Sequence, residues 1–158
     1  MLKSVQLFAI FTIALYLIPT GAHLAEFASK MALPPSEYMT VQKIYASWSL
    51  FAIVIFAALA FILANTFLVR RNRAALAWSV VAFVALASTQ FVFWIYTFPV
   101  NAATRNWTVA PEMFEAARRQ WEYSHCASAI LTFIALLAMI ISAQASHMGN
   151  RTNQPDPN

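Results

Sequence analysis

The chain has 158 residues, 61% of them hydrophobic and only 10% charged, with two glycines and a formal net charge of +4. A soluble domain carries about 25% charged residues, so a water-facing surface is excluded for most of this sequence. Nucleic-acid binding is excluded too, because no basic patch interleaved with aromatics and no phosphate-cradling glycine loop occurs, and the lone Cys126 excludes an intrachain disulfide.

A helix needs about 20 apolar residues to cross the hydrocarbon core. Four runs meet this, at about 4–22, 49–69, 74–98 and 125–143. The first is too long for a signal-peptide core, and polar residues come directly after it, so it reads as a retained span. Residues 24–48 are broken by Pro34-Pro35, and a second helical piece comes next with Tyr38, Val41, Gln42 and Tyr45 at helical spacing. Between the second and third spans lies Arg70-Arg71-Asn72-Arg73, a short loop with three cations and no anion. Such loops stay cytoplasmic, and they also suit anionic lipid head groups. Further on, Pro111 fits the first turn of a helix. Met113, Phe114, Ala117 and Trp121 then form an apolar stripe, with Glu115 and Arg119 paired one turn apart.

The expected fold is an all-α integral membrane protein, a four-transmembrane-helix antiparallel bundle with short amphipathic segments on its outer side. Residues 1–144 form the transmembrane domain, and 145–158 a polar, disordered cytoplasmic tail. Both termini are then cytoplasmic, and the bacterial inner membrane is the expected location. The expected partners are the lipid bilayer, a lipophilic small molecule, and a membrane-protein partner or a homo-oligomer.

Ionisable residues inside a membrane are costly and therefore mark function. Tyr16, Thr20, His23, Glu26 and Lys30 share one face of the first helix. Gln90, Thr97 and Asn101 recur on the third, and Trp121, Glu122, His125 and Ser128 open the fourth. In an antiparallel bundle all of these fall in the outer half, and the inner half reads as almost uniformly apolar. The sharpest feature is a mirrored pair, His23-x-x-Glu26 and Glu122-x-x-His125. Bundle proteins use paired Glu-x-x-His motifs with extra carboxylates for dinuclear metals, and those extra carboxylates are missing here. Three alternatives stand. His23, Glu26, Glu122 and His125 can bind a single zinc, iron or copper ion. His23 and His125 can ligate a haem from opposite sides. Or the polar groups form a hydrogen-bond network with no cofactor, Glu122 pairing with Arg118 or Arg119.

Phe98-Pro99-Val100-Asn101 and Arg118-Arg119-x-Trp121-x-x-x-His125 resemble motifs of a four-helix membrane family. It includes the fungal anthrone oxygenases and many uncharacterised bacterial relatives, with a Pro-x-Asn after the third span and a Trp-x-x-x-His at the fourth. Where members carry an arginine three residues after that histidine, this chain has Ser128. The resemblance implies an oxygenase-like role on a lipophilic aromatic, without an established cofactor, and implicates Asn101, Trp121 and His125.

Two functions are expected from these residues. In the first, the protein is an oxidoreductase or oxygenase acting on a lipophilic phenol or quinone-like compound at an outer-leaflet site. His125 is then base or ligand with His23 as its partner. Asn101 and Gln90 hydrogen-bond the substrate oxygen, while Tyr45, Trp94 and Trp121 wall the pocket. In the second, the protein is a non-catalytic accessory subunit whose outer segments dock a larger membrane complex.

Overall fold

A computed structural model of the protein describes residues 1–151. It is helical, with no strand among the described residues. The helices are α1 (Leu2–Ala32), α2 (Pro35–Val41), α3 (Phe51–Leu68), α4 (Arg73–Val92), α5 (Phe98–Ala103) and α6 (Phe114–Arg151). Short 3-10 turns at Gln42–Tyr45 and Trp48–Leu50 lead from α2 into α3, and a π-turn at Phe93–Thr97 joins α4 to α5. Four stretches, Leu2–Ala32, Trp48–Leu68, Arg73–Ala103 and Phe114–Met148, are long and apolar enough to cross a membrane.

Local chemistry sets the boundaries. Leu33 precedes proline and is extended, with φ −68° and ψ 142°, because the proline ring disfavours a helical residue before it. Pro35 then starts α2, where its missing N–H costs nothing. At the start of α4 the Asn72 side chain accepts from the Ala75 N–H (3.1 Å) and donates to the Ala145 carbonyl (3.1 Å), so one residue caps the helix and ties its turn to α6. Within α1, Pro19 removes a backbone donor, and the adjacent Thr20 hydroxyl donates to the Tyr16 carbonyl (3.2 Å).

Small residues bring the long helices together. The central core contains Ala9, Ala58, Ala82, Ala85, Ala135 and Ala138 around Ile13, Ile55, Ile62, Leu86 and Met139. Alanines at facing positions let helix backbones approach closely. Large apolar side chains such as Phe11, Ile53, Phe56, Phe67 and Phe91 point outward and are exposed.

Several boundaries differ from the sequence-based expectations. The first, third and fourth stretches are longer, because polar residues at their ends are held by helix-to-helix contacts. Pro111 precedes α6 instead of occupying its first turn. Helix α6 has 38 residues, about 57 Å at 1.5 Å per residue. It passes the expected tail boundary at Gln144 and continues to Arg151; the rest of that tail, 152–158, lies outside the described residues. Glu115 pairs with Arg118 (2.6 Å) and not with Arg119.

The end of the bundle near Arg70–Arg73 is not uniformly apolar inside. Asn65 Nδ2 donates to Ser79 Oγ (2.9 Å) and Ser142 Oγ (3.2 Å), and Gln6 Nε2 donates to Ser146 Oγ (2.9 Å). Single asparagines and serines scattered through apolar runs do not reveal on one sequence that they face one another; packing of α1, α3, α4 and α6 brings them together.

Candidate functional site

At the opposite end, α2 and the turns after it fold over the tips of α1, α5 and α6 as a cap. Tyr38, Val100, Trp107 and Trp121 form its buried centre, packed by Leu33, Tyr45, Phe114 and Ala117. Arg118 clamps it: its guanidinium donates to the Leu33 carbonyl (2.8 Å) and to Glu115 Oε2 (2.6 Å). The loop behind α5 is unusual, with Arg105, Asn106 and Trp107 in the left-handed region at φ 48°, 55° and 60°. Such residues cost about 1–2 kcal/mol each. The turn is held by the Thr104 hydroxyl, which accepts from the Trp107 N–H (3.0 Å), and by burial of the Trp107 ring.

Under the cap, Lys30 is 3% exposed and Glu122 is fully buried. Lys30 Nζ lies 2.9 Å from Glu122 Oε2 in a buried ion pair. The ammonium also donates to His23 Nδ1 (3.1 Å) and stands 3.9 Å from Glu26 Oε2. Two cap tyrosines complete the shell. The Tyr38 hydroxyl donates to Glu122 Oε1 (2.9 Å), and the Tyr45 hydroxyl donates to Glu26 Oε2 in a short hydrogen bond. Burial pushes both phenols above their usual range. For Tyr38 the Glu122 charge and hydrogen bond add to it; for Tyr45 the hydrogen bond to Glu26 does.

The two histidines meet. Their ring centroids are 4.2 Å apart, and His23 also touches Tyr45 (4.5 Å), Trp121 (5.0 Å) and Trp48 (5.3 Å). His125 lies 3.9 Å from the Trp121 ring, and its Nδ1 is 2.9 Å from the Trp121 carbonyl. That carbonyl can only accept, so His125 Nδ1 carries the proton and Nε2 holds a lone pair. An ammonium can only donate, so His23 Nδ1 is the acceptor and the proton of the neutral ring sits on Nε2. Neighbouring imidazoles thus present opposite tautomers.

The sequence-predicted residues fare unequally. His23, Glu26, Glu122 and Tyr45 converge on one point, but the Lys30 ammonium occupies it, where a metal ion was one of the expected alternatives. Among the described residues, no three His, Cys, Asp or Glu side chains are grouped as a metal ion requires. The haem alternative meets a distance problem. Metal–imidazole bonds of about 2 Å place rings on opposite sides of one iron with centres about 6 Å apart, whereas these rings are in contact.

Asn101 does not face the histidines directly: its Oδ1 accepts from Trp121 Nε1 (2.7 Å). The two short motifs therefore form one chain, Asn101 to Trp121 to His125. Trp94 is 58% exposed and packs on Phe93 and Phe98, away from the histidine pair. Gln90 reaches only its neighbour Thr89 (3.4 Å). Glu122 pairs with Lys30, not with Arg118 or Arg119. Sequence reasoning counted Lys30 and Trp48 among the polar and aromatic groups at this end but gave them no role in the site, and it left Tyr38 out. For Lys30 the signal was present, since it lies one turn from Glu26 and two turns from His23 on the same face. Trp48 and Tyr38 lie on the cap, whose docking no helical spacing reveals. Against protein-family models, curated proteins and solved structures the chain gives no match, so its own geometry carries the functional reading.

Proposed function

We propose that the chain is an integral membrane, antiparallel four-helix protein whose capped end forms an oxygenase-like site for a lipophilic hydroxyaryl or quinone-like compound. Its support for membrane residence is the outward apolar surface wrapped around inward polar groups, the arrangement a bilayer favours. The observation that carries the chemistry is the histidine pair in opposite tautomers inside a wall of Tyr45, Trp48 and Trp121. His125 Nε2 is a base and His23 Nε2–H a donor, so the two rings side by side suit a substrate that must lose one proton and rest an oxygen on a donor.

For an anthrone-like substrate the reaction balances with dioxygen as oxidant. His125 takes a proton from the acidic ring methylene. The carbanion's electrons pass to dioxygen, forming a hydroperoxide, which then loses water. One methylene and one dioxygen thus give one carbonyl and one water, the carbon being oxidised and the oxygen reduced. His23 Nε2–H and the nearby Lys30 charge stabilise the enolate oxygen. The resemblance in Asn101, Trp121 and His125 supports the same substrate class.

The test uses protein purified in mild detergent: oxygen uptake with an anthrone or hydroquinone, an ultraviolet-visible spectrum, and metal analysis. His125→Ala is expected to lower turnover about 100-fold or more while leaving the folded protein intact. Undiminished turnover in that variant overturns the assignment. A Soret band or stoichiometric metal lost in His23→Ala and His125→Ala would replace base chemistry with cofactor chemistry.

A second reading, an accessory subunit, is favoured by one observation: Ile44 (59%), Val109 (45%) and Met113 (74%) are exposed on the cap side. It predicts co-purification with a membrane partner that is lost in Ile44→Asp, with the histidine substitutions tolerated.

A further inference from the structure

The charges of this protein are segregated. All five carboxylates of the described residues, Glu26, Glu37, Glu112, Glu115 and Glu122, belong to the capped end or its approaches. The opposite end carries Lys3, Arg70, Arg71 and Arg73, all exposed. Its elements are held at one level by the Gln6–Ser146 and Asn72–Ala145 hydrogen bonds. Every ion pair among the described residues involves Lys30 or Arg118, so these four cations have no carboxylate partner there.

The turn that presents them is built. Asn72 is fixed on both sides, to Ala75 and to Ala145, and its own N–H donates to the Val69 carbonyl (2.8 Å). Arg70 lies over the Phe67 ring at 4.1 Å and donates from one nitrogen to the Phe67 carbonyl (2.9 Å), leaving the rest of its N–H groups free. Directly along the flank, α1 and α3 meet through the stacked Phe8 and Phe61 rings (5.4 Å). They expose Phe8 (50%) and Phe67 (64%). A cluster of unpaired cations therefore sits at the rim of an apolar flank, with Arg70 and Phe67 at the junction.

We propose that this end binds a diacyl anionic phospholipid. The lipid phosphate is held by Arg70, Arg71, Arg73 and Lys3, and its acyl chains lie along the α1–α3 flank. A free phosphate would use the cations but not the flank, and a neutral lipid would use the flank but not the cations. The juxtaposition selects the molecule that carries both groups.

The experiment offers the full chain in mild detergent equal amounts of phosphatidylglycerol and phosphatidylcholine with the same acyl chains, and reads bound lipid by native mass spectrometry. Phosphatidylglycerol is expected to be retained about fivefold or more over phosphatidylcholine. The preference should vanish in the triple variant R70Q/R71Q/R73Q, survive in K43Q/R105Q at the capped end, and resist millimolar inorganic phosphate. Equal retention of the two lipids, a preference unchanged in the triple variant, or displacement by inorganic phosphate overturns the proposal. Should the triple variant fail to fold, Arg71→Gln and Arg71→Lys decide it: only the first should weaken the preference, and equal behaviour of the two counts against it.

Discussion

A buried ammonium such as Lys30 is tolerated only while a carboxylate stays beside it, because removing one partner leaves an uncompensated charge in a low-dielectric interior. Glu122 is that partner at 2.9 Å. Lys30→Met or Glu122→Gln alone is therefore expected to destabilise the protein by about 3–5 kcal/mol, while the double variant recovers most of the loss. Denaturation midpoints of the three variants check this, and a double variant no better than the singles would show that the pair is not coupled. The same residues bear on pH. Tyr38 and Tyr45 hold their protons more tightly when folded than the usual phenol value of about 10. Their contribution is thus complete below that value and declines as pH rises above it, since the unfolded chain releases the protons first. Thermal midpoints should fall above about pH 10, and less steeply in Tyr45→Phe.

At the scale of elements, the α4–α5 junction decides where the site points. Pro99 cannot sit in a regular helical turn without a clash with a carbonyl one turn back. The chain widens just before it into the π-turn Phe93–Thr97, with the Phe98 N–H donating to the Phe93 carbonyl. A π-turn shifts the register of the helical residues after it. Here Thr97 meets Ser124 (2.8 Å) and Asn101 meets the Trp121 indole (2.7 Å). Under the proposed function, Asn101 is thus a positioning residue that reaches His125 through Trp121. Asn101→Ala should lower kcat about 10-fold, with Asn101→Asp, which keeps the acceptor, largely restoring it; a stability loss of about 1 kcal/mol is expected from the missing hydrogen bond. An unchanged pH–rate profile in Asn101→Ala would detach it from His125.

For the whole molecule, the proposed membrane arrangement makes a topological prediction. Single cysteines introduced at Arg71 and at Lys43 in a Cys126→Ser background should label from opposite faces of sealed vesicles, since the two sites lie at opposite ends of the bundle. Labelling from one face would refute it. Much of this architecture was legible in sequence, because four apolar runs, proline breaks and an arginine loop act locally: each dictates its own helix, break or turn whatever lies beside it. The site was legible only in part. The i,i+3 spacing of His23 with Glu26 and of Glu122 with His125 placed these four residues on faces that meet in the structure, and the cap helix was visible after Pro34-Pro35. Helix rotation and cap docking are set by packing between segments far apart in the chain. Only the tertiary structure could therefore decide that Lys30 lies among His23, Glu26 and Glu122. It likewise decided that Asn101 serves Trp121, that Trp94 faces outward, and that the asparagines and serines at the other end meet in a buried seam.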